Sequence, residues 1–67
     1  MKKKESIGER IRVAREAAGL SQVNAAVLAG MTQPQWSDLE RSVNEPRLDT
    51  LRTIAAALGV PPSELID

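Results

Sequence analysis

Four hydrogen-bonding side chains, Gln33, Gln35, Ser37 and Asp38, fall within six positions of a segment whose other large side chains, Trp36 and Leu39, are apolar. Their chemistry is recognition. Glutamine offers a donor and an acceptor together, serine a hydroxyl and aspartate an acceptor. Short side chains of these types at the start of a helix can read base edges when that end enters a major groove. Catalysis has little to work with. The chain has no histidine and no cysteine, which removes the usual general base, the thiol nucleophile, thiolate zinc sites and disulfides. No enzyme activity, cofactor or metal is expected.

Positioning these side chains is a matter of helices. Sixty-seven residues make one small domain, stable only with a well-patterned core or with help from dimerisation. Ser6 and Glu9 have capping-box spacing. Ile7, Ile11, Ala14 and Ala18 then repeat on one helical face until Gly19. Ser21 caps a second helix running to about Ala29, and Gly30 stops it. Thr32 and Gln35 make a second capping box for a third helix, Gln33 to about Arg41, with Pro34 tolerated in its first turn. After a Ser42–Pro46 loop, Leu48, Leu51, Ile54, Ala55 and Leu58 line a fourth helix that Gly59 ends. Pro61 and Pro62 introduce a fifth, Ser63 to Ile66. No stretch alternates like a strand. The expected fold is all-α, five compact helices over residues 6–67 behind a basic N-terminal arm at 1–5.

The link Gly30-Met31-Thr32 is only three residues long, so helices 2 and 3 must cross steeply. Small Ala26 suits their close approach, while Met31, Trp36 and Leu39 face the core. Charge is split along the chain: residues 1–15 carry a net +4, with Lys2, Lys3 and Lys4 in front, and residues 16–67 a net −4. The total of zero is weak support for a polyanionic partner. No apolar run is long enough to span a bilayer.

On these residues the chain resembles the Cro/repressor helix-turn-helix domains of phage repressors, restriction-modification controller proteins and related bacterial regulators. The carriers are Ile7-Gly-Glu-Arg-Ile11, Arg15, Gly19-Leu-Ser-Gln22, Ala26, Ala29-Gly30, Thr32-Gln33-Pro34, Leu39-Glu-Arg41, Pro46, Leu48-Asp-Thr-Leu51, Ile54-Ala55 and Leu58-Gly-Val60, in register from Ile7 to Ile66. The resemblance implies a lambda-repressor-like fold and a cytoplasmic, nucleoid-associated transcriptional regulator, bacterial or phage. It would insert helix 3 into the major groove of double-stranded operator DNA as a homodimer through Leu48, Pro62 and Leu65. The implied DNA-binding set is Gln22, Thr32, Gln33, Gln35, Ser37, Asp38, Arg41 and Arg47. Gln33 would be the principal base reader, Gln22 a backbone contact bracing helix 3, and Arg15–Glu40 a buried ion pair.

Several positions depart from that pattern. Ala14 and Ala25 stand where leucine is usual, Trp36 where isoleucine or valine is usual, Ser42 where glycine follows Leu-Glu-Arg, and Arg47 where serine caps helix 4. The Trp36 ring is expected to fill the space released by Ala14 and Ala25, its indole N–H reaching a partner or solvent. Asp38 is either a cytosine acceptor or the i,i+3 partner of Arg41. Val23, Val27 and Leu28 put apolar groups on the outer face of helix 2. They leave open an alternative, a protein-interaction or antitoxin-like module on the same fold. A further alternative is the DNA-binding portion of a longer repressor.

Overall fold

The computed structural model describes residues 6–66; the basic arm and Asp67 lie outside them. Four α-helices follow one another: α1 (Ile7–Ala17), α2 (Gln22–Leu28), α3 (Gln33–Glu40) and α4 (Leu48–Leu58). A 3-10 turn, Pro62–Glu64, follows α4. The described residues contain no strand. The fifth α-helix is therefore corrected to a single 3-10 turn. Its bonds run from the Glu64 N–H to the Pro61 carbonyl and from the Leu65 N–H to the Pro62 carbonyl, both 3.0 Å. Pro61 and Pro62 contribute no N–H, which takes two donors from the first turn of an α-helical ladder. Helices 2 and 3 also end one residue earlier than expected, with Ala29 and Arg41 as their C-caps.

Local chemistry sets the helix starts. Ser6 Oγ accepts from the Glu9 N–H and the Glu9 carboxylate accepts from the Ser6 N–H, the reciprocal box. Thr32 and Gln35 repeat it at α3, and Ser21 Oγ accepts from the Asn24 N–H at α2. Arg47 gives α4 no side-chain cap. Gly30 turns the chain between α2 and α3 at φ +70°, which a Cβ would strain.

The core is one cluster. Ile11 of α1, Trp36 of α3, Ile54 of α4 and Leu65 after the last turn are its largest fully buried side chains, with Ala25, Ala26, Leu51, Ala55 and Leu58 around them. Each large apolar side chain buried this way contributes roughly 1.5–3 kcal/mol. Two corrections follow. Leu65 cannot belong to an exposed dimer patch, because the 3-10 turn tips it into the core. Ala18 is exposed at the α1 C-cap, so the inward face of α1 ends at Ala14. Ala14 itself is half-buried and lines an open groove of about 280 Å³ with Val13, Ala17, Leu58 and Val60. Trp36 and Ala25 lie in the same buried cluster, but the space beside Ala14 stays open to solvent.

Ser42 follows α3 at φ +58°, the only non-glycine among the described residues with positive φ. The left-handed region costs an L-residue roughly 1–2 kcal/mol, partly returned by the smaller unfolded-state entropy of serine. Ser42→Gly is therefore expected to stabilise the domain by about 0.5–1 kcal/mol and raise the thermal midpoint by about 2–6 °C. The lost Ser42 Oγ–Ser6 Oγ bond, 3.2 Å and exposed, offsets little of this. A thermal melt giving an unchanged or lower midpoint contradicts the expectation.

Candidate nucleic-acid interface

α2 and α3 pack closely across the Gly30 turn, and the front of α3 stays open to solvent: Gln33, Pro34 and Gln35 are exposed, Ser37 and Asp38 partly so. Beneath that front lies a buried carboxylate. Glu40, at the end of α3, has a side chain only 4% exposed, and Arg15 of α1 is 13% exposed. Arg15 grips it with two donors, Nε to Oε2 at 2.5 Å and Nη2 to Oε1 at 3.2 Å, while Nη1 donates to the Leu20 carbonyl at 2.9 Å. The expected buried ion pair is therefore present, and it ties α1 to α3.

Two further donors complete Glu40. The Trp36 Nε1–H donates to Oε2 at 2.6 Å, and Gln22 Nε2 of α2 donates to Oε1 at 3.0 Å. Burial pushes the Glu40 carboxyl up, but the bonds from Arg15, Gln22 and Trp36, with the Arg15 charge, outweigh it and hold the carboxyl below the ordinary glutamate range. The hydrogen bond to Glu40 in turn raises Arg15 further above its usual value. From Gln22 the chain of bonds reaches the surface: its Oε1 accepts from Gln33 Nε2 at 2.9 Å. Gln33 is thus held at its inner edge, and its Oε1 and second N–H remain for a partner.

The other expected site residues divide. Thr32 and Gln35 spend their polar groups on each other's backbone as the capping box. Asp38 Oδ1 takes Arg41 Nη2 at 2.6 Å, the helix-surface pairing. Arg47 is exposed at the start of α4, at the far side of the loop from Arg41. Gln22, Gln33 and Glu40 are brought together; Arg47 is not part of that cluster. The sequence leads to the expectation that Gln22 braces α3 and that the Trp36 N–H finds a partner or solvent; that Glu40 accepts both bonds was missed. The i,i+4 spacing of Trp36 and Glu40 was their one available sign.

Among the described residues no group of acidic side chains could hold a metal ion, and no helix is long and apolar enough to cross a membrane.

The same architecture recurs in solved structures. The restriction-modification controller protein C.AhdI from Aeromonas hydrophila superposes with a TM-score of 0.85 at 35% identity, over 90% of this chain and 91% of that one. The P22 c2 repressor, solved in complex with a synthetic operator, gives 0.86 at 30% identity over 96% and 97%. In sequence, the immunity repressor protein of Bacillus phage phi105 is 34% identical over 61 residues, 91% of this chain and 42% of the phage protein. The chain spans less than half the length of the curated relatives it matches. A family model described as a helix-turn-helix domain matches residues 6–66, and with these relatives it establishes that the chain belongs to the helix-turn-helix domain family.

Proposed function

We propose that this domain is a sequence-specific DNA-binding transcriptional regulator that places α3 in the major groove of an operator. The observation carrying the reading is the Gln22–Gln33 bond at the exposed front of α3. It presents one glutamine with a free carbonyl oxygen and a free N–H, the pair that matches adenine N6 and N7. The operator-bound P22 c2 repressor, alike over nearly its whole chain, supports the same use of the fold. Arg41 and Arg47 are the phosphate contacts, with Ser37 beside the reader. Lys2, Lys3 and Lys4 add unspecific attraction in this reading. A homodimer is the natural operator-bound form, its half-sites about one turn apart, and Leu48, 56% exposed, with Pro62 supplies the remaining apolar contact.

Selection from a random duplex library tests the proposal. Gln33→Ala is expected to cost about 1–3 kcal/mol of specific binding and to relax preference at one base position. Affinity of the parent should fall linearly in log–log with salt. An unchanged selected sequence and affinity would remove Gln33 from the reading role.

In this reading Asp38 acts as a brake, because its carboxylate occupies Arg41 and adds negative charge to the helix that approaches the phosphates. Asp38→Asn is expected to tighten binding to random duplex several-fold at low salt. Loss of only the selected site, without that gain, would make Asp38 a base acceptor instead.

A second reading is favoured by one observation. Val23, Val27 and Leu28 of α2 are 55%, 70% and 60% exposed, a patch suited to a protein partner. Absence of any salt-dependent duplex binding would favour that module.

A further inference from the structure

We propose that Trp36 is a positioning residue for the base contact at Gln33, acting through Glu40 and Gln22; this rests on the DNA-binding reading above and extends it inward to the core. An ionised carboxylate accepts at about four sites and donates at none. Glu40 has four donors: Trp36 Nε1 and Arg15 Nε on Oε2, Arg15 Nη2 and Gln22 Nε2 on Oε1. Because Glu40 only accepts, Gln22 must face it with its NH2 group. That turns Gln22 Oε1 outward, where it only accepts, so Gln33 must face it with its own NH2. The direction of two amides is fixed chemically from the buried end. Gln33 arrives at the surface with its acceptor and donor in a single order.

The indole is what leaves Gln22 no alternative. Trp36 is fully buried, and its N–H is the only polar group on the ring, so its place on Oε2 is obligatory in a dry core. With the Arg15 fork and the indole in place, Oε1 is the one oxygen Gln22 can reach. Without the indole N–H, Oε2 has an empty acceptor site that attracts Gln22 or a water molecule. Gln22 then has two stations, and Gln33 loses its fixed partner. Ordering a glutamine in advance matters because its rotamer freedom is among the largest of any side chain.

The test removes the N–H and little else. Trp36 is replaced by β-(3-benzothienyl)alanine, which keeps the fused ring and volume, and in parallel by phenylalanine (Trp36→Phe). Side-chain 15N relaxation of Gln22 and Gln33 is measured in the DNA-free protein, and base preference is read by library selection. The expected result is a drop in Gln33 amide order toward that of an unrestrained surface glutamine. Discrimination at one base position should fall about tenfold, with unchanged affinity for random duplex. Amide order that stays at the parent level in the benzothienyl variant overturns the proposal, whatever the stability of Trp36→Phe. Looser amides with discrimination unchanged also overturn it. If the parent itself selects no sequence, the DNA-binding reading fails, and amide order alone decides whether Trp36 positions Gln33.

Discussion

Glu40→Ala is expected to destabilise the domain by about 3–5 kcal/mol in chemical denaturation. A domain of this size has roughly 3–10 kcal/mol of total stability, so the loss is at least about a third of it. The cost comes from what remains. Arg15, nearly buried on α1, loses both carboxylate contacts, and the buried indole N–H of Trp36 and the Gln22 amide lose their acceptor. Removing both charges together leaves less behind. Arg15→Met combined with Glu40→Ala should therefore lose clearly less than the two single losses added. Acid provides an independent measurement. The folded Glu40 carboxyl lies below the ordinary glutamate value of about 4.3. The stability it contributes is fully present above that value and is lost as pH falls through the lowered folded value. The acid limb of the stability curve should flatten in Glu40→Gln. A Glu40→Ala protein within about 1 kcal/mol of the parent would mean that the pair is not a structural anchor.

What the amino-acid sequence disclosed about this network, and what it withheld, follows the range of the interactions. The two capping boxes, the Gly30 turn and the Asp38–Arg41 pair were legible because each lies within four residues of its own partner. Arg15–Glu40 was legible only through family resemblance, since nothing local to either residue points across 25 positions. The resemblance implies that Gln22 braces α3, but not that Glu40 is its partner; that depends on how closely α2 approaches the end of α3, which the Gly30 turn permits but does not specify. Leu65 misled for a similar reason. Its place in a dimer patch is implied by the family resemblance alone, whereas the 3-10 turn puts it in the core. Spacing to Leu39 correctly places Trp36 inside, but it does not give the reach of the ring, and the groove beside Ala14 stays open.

Gly8→Ala is the case in which local propensity and packing give opposite signs. Gly8 sits in the first turn of α1, and by helix propensity alone alanine would gain up to about 1 kcal/mol. The approach of α3 reverses this. A Cβ on Gly8 would lie 2.5 Å from the Leu39 carbonyl oxygen, 2.6 Å from the Glu40 carbonyl oxygen and 2.5 Å from Ser42 Oγ. Two of these three atoms are backbone in the last residues of α3, so they cannot rotate away as a side chain could. α1 and α3 would have to separate, and the Arg15–Glu40 fork that joins them opposes the movement. Overpacking of this kind typically costs 1–3 kcal/mol and sometimes more; against backbone atoms the upper end applies, about 3 kcal/mol net. Ser42→Gly in the same chain separates the contributions. It removes the hydroxyl and relaxes the positive φ, but leaves both carbonyls in place, so it should recover only part of the loss. Full recovery would mean that the hydroxyl alone stood in the way, and a stabilised Gly8→Ala single variant would mean that α1 and α3 do not approach this closely.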